Sequence, residues 1–235
     1  MTLTYTRHPP MTRINLGIAQ AAFAPNSTDR SRRFIMLSLL VFLNVLWAGC
    51  LSRPPLSKEN FLISARAADV TAKPGQPRMD DILNLGAVTV APEFEGRSLV
   101  YRISETGYEF DAYAEFLIPP DRMIGGATRT WLRSAGLFRE IAEPNSRIYA
   151  TRAAELHVTE MYGDFRKTDD AAAVFTMRFV LLAKATANTE PGVALSKNYS
   201  RRVRLKERTA AAVVNGLQQA FREALTELAA DLNKL

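Results

Sequence analysis

The stretch AAVFTMRFVLLA, residues 172–183, decides the fold. Every odd position in it is apolar, whereas the even positions include Thr176 and Arg178. Successive side chains of a β-strand point to opposite faces of the sheet, so this alternation predicts a strand with one buried face. The odd positions are Ala173, Phe175, Met177, Phe179, Leu181 and Ala183.

Two neighbouring stretches alternate in the same way. Residues 194–206 carry apolar side chains on one face and polar ones on the other, and residues 154–162 place Leu156 and Val158 in register. Three strands at this spacing predict an antiparallel meander. In 194–206 the apolar face contains Leu195, Tyr199, Val203 and Leu205, and the polar face contains Ser196, Asn198, Ser200, Arg202, Arg204 and Lys206.

The chain ends in a predicted amphipathic helix that begins after a capping residue, Thr209. Its apolar residues recur every three or four positions, which predicts one buried stripe, and its polar face mixes both charges. A mixed face favours packing on the sheet over binding to a membrane surface. We therefore expect the odd face of 173–183 to pack on this helix through Phe221 and Leu225. The stripe comprises Val214, Leu217, Phe221, Leu225, Leu228 and Leu232.

The first half of the domain predicts more strands. Residues 61–65 and 82–92 read as strands, and 66–81 reads as a loop broken by prolines. The residues on the two sides of Gly107 predict two short strands joined by a turn.

A second helix is predicted between Pro119–Pro120 and Gly136, since proline suits a helix start and glycine a left-handed helix end. Gly125 and Gly126 within it suggest close packing against a neighbour. The elements together predict a single α+β domain over residues 60–235, with a mostly antiparallel sheet packed against two helices. The expected helical stripe comprises Met123, Ala127, Thr130, Trp131 and Ser134.

An export segment precedes the domain. Three arginines at 30, 32 and 33 are followed by the apolar run FIMLSLLVFLNVLW, then Ala48, Gly49 and Cys50. A basic flank, a short apolar core and small residues before a cleavage point are typical of a signal peptide. The alternative, an uncleaved anchor, is disfavoured because a membrane-spanning helix needs ~20 apolar residues. We therefore expect residues 1–49 to be an N-terminal extension and signal peptide, with either Met1 or Met11 as the start, and residues 50–59 to be a tether.

Cys50 is the only cysteine of the chain, so it has no partner for an intramolecular disulfide. It is therefore buried, free or modified, and its place at a cleavage point favours modification. The stretch LWAGC resembles the lipobox of bacterial lipoproteins, although Trp47 stands where an aliphatic residue is usual. That resemblance implies a covalent lipid on Cys50. Because Leu51 rather than aspartate follows, it also implies sorting to the outer membrane.

Charge and composition argue against several functions. The precursor has a net charge of +6, but five arginines and one aspartate precede Cys50, which leaves the mature chain at only +2. Nucleic acid is therefore not an expected partner. The mature chain has one histidine, His157, expected at the surface, and the acid pairs Asp80–Asp81 and Asp169–Asp170 read as solvated loops.

No nucleophile motif, phosphate loop or metal-ligand spacing occurs in the sequence. We therefore predict no catalytic residues, no metal and no cofactor apart from the lipid on Cys50. A hydrolase whose carboxylates are brought together by the fold is the remaining enzymatic alternative.

Two surfaces are candidates for binding a partner protein. The first groups Tyr101, Arg102 and Tyr108, which are residue types enriched at interface hot spots; the alternative is that the tyrosines fill the core beneath the first helix. The second is the arginine face around Arg202 and Arg204, whose alternative is a solvated strand face.

The segment 90–138 carries a family resemblance. Its marks are LVYR at 99–102, an aromatic strand over 108–113, the pair Pro119–Pro120 and the helix end Leu137–Phe138. These resemble the ABC-type transport auxiliary lipoproteins, the family of paraquat-inducible protein C. The sequence departs from the family at 114–116, where Ala-Glu-Phe replaces a tryptophan-containing stretch.

The resemblance implies a role rather than a reaction. It implies a non-enzymatic lipoprotein at the periplasmic face of the outer membrane, which partners the periplasmic MCE-domain (mammalian cell entry) protein of a transporter. Such systems are thought to move phospholipid or other hydrophobic molecules across the envelope. A homo-oligomer is also compatible with this role. The alternative is an envelope-assembly or structural lipoprotein that binds a protein without a transporter.

Overall fold

The structure is a computed structural model that describes residues 57–65, 79–183 and 192–235, together with helical positions 32, 34–36 and 38. The chain divides into two compact units, Met1–Pro55 and Leu56–Leu235, and the account below concerns the second. Cys50 and the predicted cleavage point lie outside the described residues. Within the described part of the chain, no helix is long and apolar enough to cross a membrane.

The described residues of the second unit form eight strands, which make one sheet, and two helices. The strands are β1 (Glu59–Phe61), β2 (Met79–Val90), β3 (Ser98–Arg102), β4 (Tyr108–Phe116), β5 (Phe138–Ala142), β6 (Arg152–Asp164), β7 (Ala172–Leu182) and β8 (Val193–Arg204). The helices are α1 (Pro120–Ala135) and α2 (Ala210–Leu232), and a 3-10 turn spans Pro92–Phe94.

The long strand β6 organises the sheet. On one edge it pairs antiparallel with β7, which pairs antiparallel with β8, so the predicted meander is confirmed. On the other edge it pairs parallel with β2 along its first half and with β3 at its end. The longest pairings are antiparallel, and the predicted α+β domain with two helices is confirmed. The parallel pairings of β2 and β3 with β6 are new information from the structure.

Both helices cover the same face of the sheet. Phe175 on β7 contacts Phe221 on α2, with ring centroids 5.2 Å apart, and Phe179 and Leu225 are fully buried. The predicted buried face of β7 is therefore confirmed. On the opposite face of the sheet, Arg202 of β8 is exposed, as the alternation of that strand predicts.

Helix α2 begins and packs as its sequence predicts. The backbone N–H of Ala212 donates a hydrogen bond to the Thr209 hydroxyl at 3.2 Å, which satisfies one of the unpaired groups of the first turn. All six residues of the predicted apolar stripe are buried.

Helix α1 has the predicted ends but a different buried stripe. Gly136 ends it with a φ of 62°, the left-handed conformation that favours glycine. Gly125 packs closely on β2, since a Cβ there would lie 3.2 Å from Val88 Cγ2. Thr130 and Ser134, predicted on the buried stripe, are instead exposed, because helical spacing alone leaves the width of the apolar face undetermined. The buried residues of α1 are Pro120, Met123, Ile124, Gly125, Ala127, Thr128, Trp131, Leu132 and Ala135.

The predicted loop over 66–81 is wrong at its end, where β2 already begins at Met79. Asp81 is therefore not a solvated loop residue but is buried within the strand. Its carboxylate accepts hydrogen bonds from Thr151 Oγ1 at 2.9 Å and Arg152 Nε at 2.8 Å. A buried carboxylate needs such partners, and both lie about 70 positions away in the sequence.

The predicted strand 61–65 is also corrected. The first strand, β1, ends at Phe61, and the next residues contact both helices; the N–H of Ile63 lies 3.3 Å from Met123 Sδ. The N–H of Ser64 donates to Gln218 Oε1 at 3.1 Å. This segment therefore links α1 to α2, and β5 is a further strand that the sequence did not reveal.

Candidate interaction surface

Strand pairing brings the two candidate surfaces to one end of the sheet. Arg102 at the end of β3 pairs with Asp164 at the end of β6, which pairs with Ala172 at the start of β7. Ala172 in turn pairs with Arg204 at the end of β8. Three connections meet at this end, which we call the loop end: residues 103–107, 165–171 and 205–209.

Arg102 and Tyr108 form one structural group. The guanidinium carbon of Arg102 lies 5.6 Å from the ring centroid of Tyr108, within the range of a cation–π contact. Arg102 also donates hydrogen bonds to the carbonyls of Ser104 and Glu105 at 3.3 and 2.7 Å. These hydrogen bonds of the Arg102 guanidinium close the turn between β3 and β4.

Tyr108 belongs to an aromatic cluster with Phe94 and Tyr162. Phe94 and Tyr162 are stacked with centroids 5.7 Å apart, and the Tyr108 ring meets both edge-on at 6.3 and 5.9 Å. Such geometries contribute more than area burial alone. Burial raises the pKa of Tyr162, so its hydroxyl stays protonated at neutral pH.

Tyr101 lies apart from Arg102 and Tyr108, on the side of the sheet that the helices cover. Tyr101 and Val213 of α2 both lie over Gly163, where a Cβ would lie 2.9 Å from Val213 Cγ2 and 3.0 Å from Tyr101 Cδ1. The Tyr101 ring stacks on Phe165 at 5.0 Å. The predicted grouping of the three side chains is thus divided between two faces, because adjacent residues of a strand point in opposite directions.

A wide bulge in β4 gives the Tyr101 hydroxyl its partner. Pairing passes from Ser98–Glu115 to Val100–Phe110, so residues 111–114 bulge away from β3. The hydroxyl of Tyr101 donates to Asp111 Oδ2 at 2.6 Å, and burial, followed by this bond, raises the pKa of Tyr101.

The other oxygen of Asp111 fixes the backbone of the bulge. Asp111 Oδ1 accepts from the N–H groups of Tyr113 and Ala114 at 2.7 and 2.9 Å. Bulges of this kind re-aim side chains at sheet edges, and here Phe110 and Tyr113 remain 65% and 56% exposed. We call the exposed apolar residues Ile103, Tyr108, Phe110 and Tyr113 the hairpin surface.

An ionic network supports the turn at the tip of this hairpin. Arg166 donates to both oxygens of Glu105 at 2.8 and 3.0 Å, and also to the buried Asp164 at 2.8 and 3.0 Å. Arg202 joins Asp164 at 2.7 Å to Asp170 at 2.9 Å. These groups line a surface depression of about 360 Å³.

The electrostatics of the network are dominated by Asp164. Hydrogen bonds from Arg166, together with one from Arg202, hold the pKa of Asp164 well below its usual range despite burial. The same bonds to Asp164 and Glu105 raise the pKa of Arg166. Asp164 and Arg166 therefore stay charged throughout the physiological pH range.

The arginine face around Arg202 and Arg204 is engaged within the chain. Arg202 is paired with Asp164 and Asp170, and Arg204 donates to the carbonyl of Asp169 at 2.8 Å. Both arginines therefore fasten β8 to the loop after β6. Arg204 also lines a shallow depression of about 620 Å³ between the two loops.

His157 lies on the face of the sheet opposite the helices, with Nδ1 2.7 Å from Thr89 Oγ1 and Nε2 3.4 Å from Glu155. Among the residues that the structure describes, no group of three or more His, Cys, Asp or Glu is placed to hold a metal ion.

Sequence reasoning missed several residues of the surface. Phe110 and Tyr113 belong to the aromatic strand 108–113, but their exposure depends on a bulge that no local pattern indicates. Asp164 and Arg166 flank the end of β6, and their pairing with Glu105 and Arg202 depends on strand order. Only the density of aromatic residues in this strand was a usable signal.

The fold and this surface define a small α+β domain that presents aromatic side chains on a braced hairpin, an arrangement suited to binding. The family model of the ABC-type transport auxiliary lipoprotein component matches residues 61–229. The chain belongs to that family, as the resemblance of segment 90–138 implied.

Two solved structures share the fold. A crystal structure of a protein from Xanthomonas campestris is 17% identical, with a TM-score of 0.60, and the match covers 73% of this chain and 92% of that one. A second, described as an uncharacterized protein, is 15% identical with a TM-score of 0.56, covering 74% and 98%. No curated protein matches the sequence closely enough to count as a relative.

Family membership indicates the general role of the protein. It is a lipoprotein-type auxiliary component associated with ABC transport and with the cell envelope, and its family is not one of enzymes.

Proposed function

We propose that the protein is a non-enzymatic outer-membrane lipoprotein subunit of an MCE-type ABC transport system, which moves phospholipid or other hydrophobic molecules across the envelope. Its hairpin surface binds the periplasmic MCE-domain protein of that system. Family membership supports the transport role, and the observation that carries the binding role is the exposure of Phe110 and Tyr113 on a braced bulge.

Aromatic anchors on a rigid support suit a protein interface. Phenylalanine and tyrosine bury large areas at low entropic cost, and aromatic residues are enriched at interfaces. The bulge is held by three hydrogen bonds to Asp111, and the turn is held by Arg102, Glu105 and Arg166. A surface ordered before binding loses less freedom when the partner arrives.

The roles of the individual candidates differ in this proposal. Phe110, Tyr113 and Tyr108 contact the partner, whereas Tyr101 and Arg102 position the bulge and the turn from within the domain. Arg202 and Arg204 contribute little, because their donors already serve Asp164, Asp170 and the Asp169 carbonyl.

The proposed test is capture of the MCE-domain protein by full-length variants. Phe110→Ala combined with Tyr113→Ala should weaken capture by at least about tenfold, as expected for hot-spot aromatics. The matched control is Tyr149→Ala, which removes an exposed aromatic side chain outside the hairpin and should leave capture unchanged. Thermal melts of all variants exclude unfolding. Undiminished capture by the double variant would remove this surface from the proposal.

Localisation rests on Cys50, which the proposal takes to carry the lipid. Cys50→Ser should abolish incorporation of radioactive palmitate, and the lipidated protein should fractionate with the outer membrane because Leu51 follows the cysteine. Label on the serine variant would contradict lipidation at this residue, and recovery only with the inner membrane would contradict the proposed location.

A further inference from the structure

A second exposed apolar surface lies where β1 and β4 end. Leu62 follows β1, and Leu117 and Ile118 follow β4. The N–H of Leu117 donates to the carbonyl of Phe61 at 2.8 Å, so the two segments are neighbours. Leu62 and Leu117 are 51% and 52% exposed, and their exposure is informative because the two side chains are neighbours. We call these three side chains the aliphatic patch.

The aliphatic patch and the loop end lie at opposite ends of one strand. β4 runs from Tyr108, beside the turn 103–107, to Phe116, beside the patch. Because residues 111–114 bulge, both ends of β4 pair with the five-residue strand β3, and four steps at ~3.3 Å per residue separate those ends by roughly 13 Å. A surface that contacts the patch therefore meets the end of the β3–β4 hairpin that is away from the turn 103–107.

The chain enters the domain close to the patch. β1 begins at Glu59, only three positions before Leu62. The chain from Cys50 to Glu59 spans at most about 30 Å even when fully extended. A lipid on Cys50 would therefore keep β1 and the patch within that distance of the membrane surface.

The charges beside the patch suit a phosphate-bearing surface. Lys58 and Arg97 both pair with Glu115, at 2.9 and 2.7 Å. Two cations share one carboxylate, so one positive charge is uncompensated within this group. Both cationic side chains are also nearly half exposed. Arg97 donates to the Phe116 carbonyl through Nε and to Asn60 through Nη2, so Lys58 keeps more of its donors for lipid phosphates.

We propose that the aliphatic patch docks on the surface of the lipid bilayer that holds the anchor. Leu62, Leu117 and Ile118 enter the boundary between headgroups and acyl chains, while Lys58 and Arg97 meet phosphates. The turn 103–107 then lies at the end of the β3–β4 hairpin that is away from the docked patch. This inference rests on the proposed lipidation of Cys50 and not on the identity of the transport partner.

A single introduced cysteine tests the proposal, because Cys50 is the only native cysteine and its thiol is blocked when lipidated. Leu117→Cys is labelled in the full-length lipidated protein with a polarity-sensitive fluorophore. The protein is then placed in vesicles of phosphatidylethanolamine and phosphatidylglycerol. Asp169→Cys and Glu105→Cys, labelled identically, are the controls, and both positions are exposed in connections at the loop end.

The label at position 117 should shift to shorter wavelength in vesicles and be quenched by spin-labelled lipid, at least several-fold more than either control label. Adding Leu62→Glu to the Leu117→Cys chain should reverse the shift, while circular dichroism confirms an unchanged fold. Equal quenching at all three positions, or stronger quenching at 105, overturns the proposal.

Two further outcomes also overturn it. Labelling of the parent protein would show a free Cys50 thiol and remove the anchor. A spectral shift at 117 that depends on protein concentration, without quenching by lipid, would show that the patch meets a second copy of the chain. Capture of the MCE-domain protein is measured separately, so failure of docking is distinguishable from failure of the partner proposal.

Discussion

Replacing Asp164 with asparagine should loosen the ionic network that braces the hairpin. The substitution keeps the size of the side chain but replaces the carboxylate, which accepts hydrogen bonds from Arg166 and Arg202, with a neutral amide. Removing one partner of a buried ion pair costs about 3–5 kcal/mol. The two arginines are 30% and 42% exposed and regain water, so we expect a smaller loss of about 2–3 kcal/mol in unfolding free energy.

Urea unfolding measures the effect, and Asp169→Asn is the matched control. Asp169 is an exposed neighbour in the same loop, and its carbonyl rather than its side chain accepts the bond from Arg204. The control should therefore change stability by less than about 0.5 kcal/mol. Equal stabilities of the two variants would refute the buried ion pair as the brace of the loop end.

The pH dependence gives an independent check. Because the pKa of Asp164 is lowered in the folded state, its stabilisation is complete above the ordinary carboxyl pKa of about 4. This stabilisation is lost as the pH falls through the lowered pKa of Asp164 in the folded state. The stability difference between the native protein and Asp164→Asn should thus be constant from pH 7 to 5 and shrink below pH 4. A difference that grows on acidification would contradict the assigned sign.

Two further predictions concern the packing of the helices on the sheet. Phe179→Ala should lower the free energy of unfolding by about 3–5 kcal/mol, because the side chain is fully buried. An unchanged midpoint of urea unfolding would show that the buried face of β7 is assigned wrongly. Gly216→Ala should cost about 1–3 kcal/mol, since its Cβ would lie 2.7 Å from both Ala173 Cβ and Leu205 Cδ2. Gly126→Ala has open space in a helix interior and should instead stabilise by about 0.5–1 kcal/mol, so the two melting shifts should be opposite in sign.

The aromatic hairpin shows how far a local pattern reaches into a binding surface. The run 108–113 marked the hairpin as rich in aromatic residues, and the turn at Gly107 was predicted correctly. Tyr101 and Arg102 lie on opposite faces because adjacent residues of a strand alternate, and the sequence alone could have predicted this. The bulge at 111–114 was not, because it depends on Asp111 meeting the hydroxyl of Tyr101 across the hairpin.

The sequence by itself determined the elements whose burial is periodic: the strands β6 to β8, helix α2 with its cap at Thr209, and the end of helix α1 at Gly136. Periodicity records which side of an element faces the core, and a cap is satisfied by residues within one turn, so both are local properties.

Only the tertiary structure decided where the charged and paired residues meet. Parallel pairing of β3 with β6 brings Arg102 beside Asp164, and pairing of β2 with β6 buries Asp81 against Arg152. Strand order is set by long-range packing of the whole sheet, and these partners stand about 60–70 positions apart in the chain. A local pattern carries no record of such a neighbour, so both the ionic network and the buried aspartate became visible only in the fold.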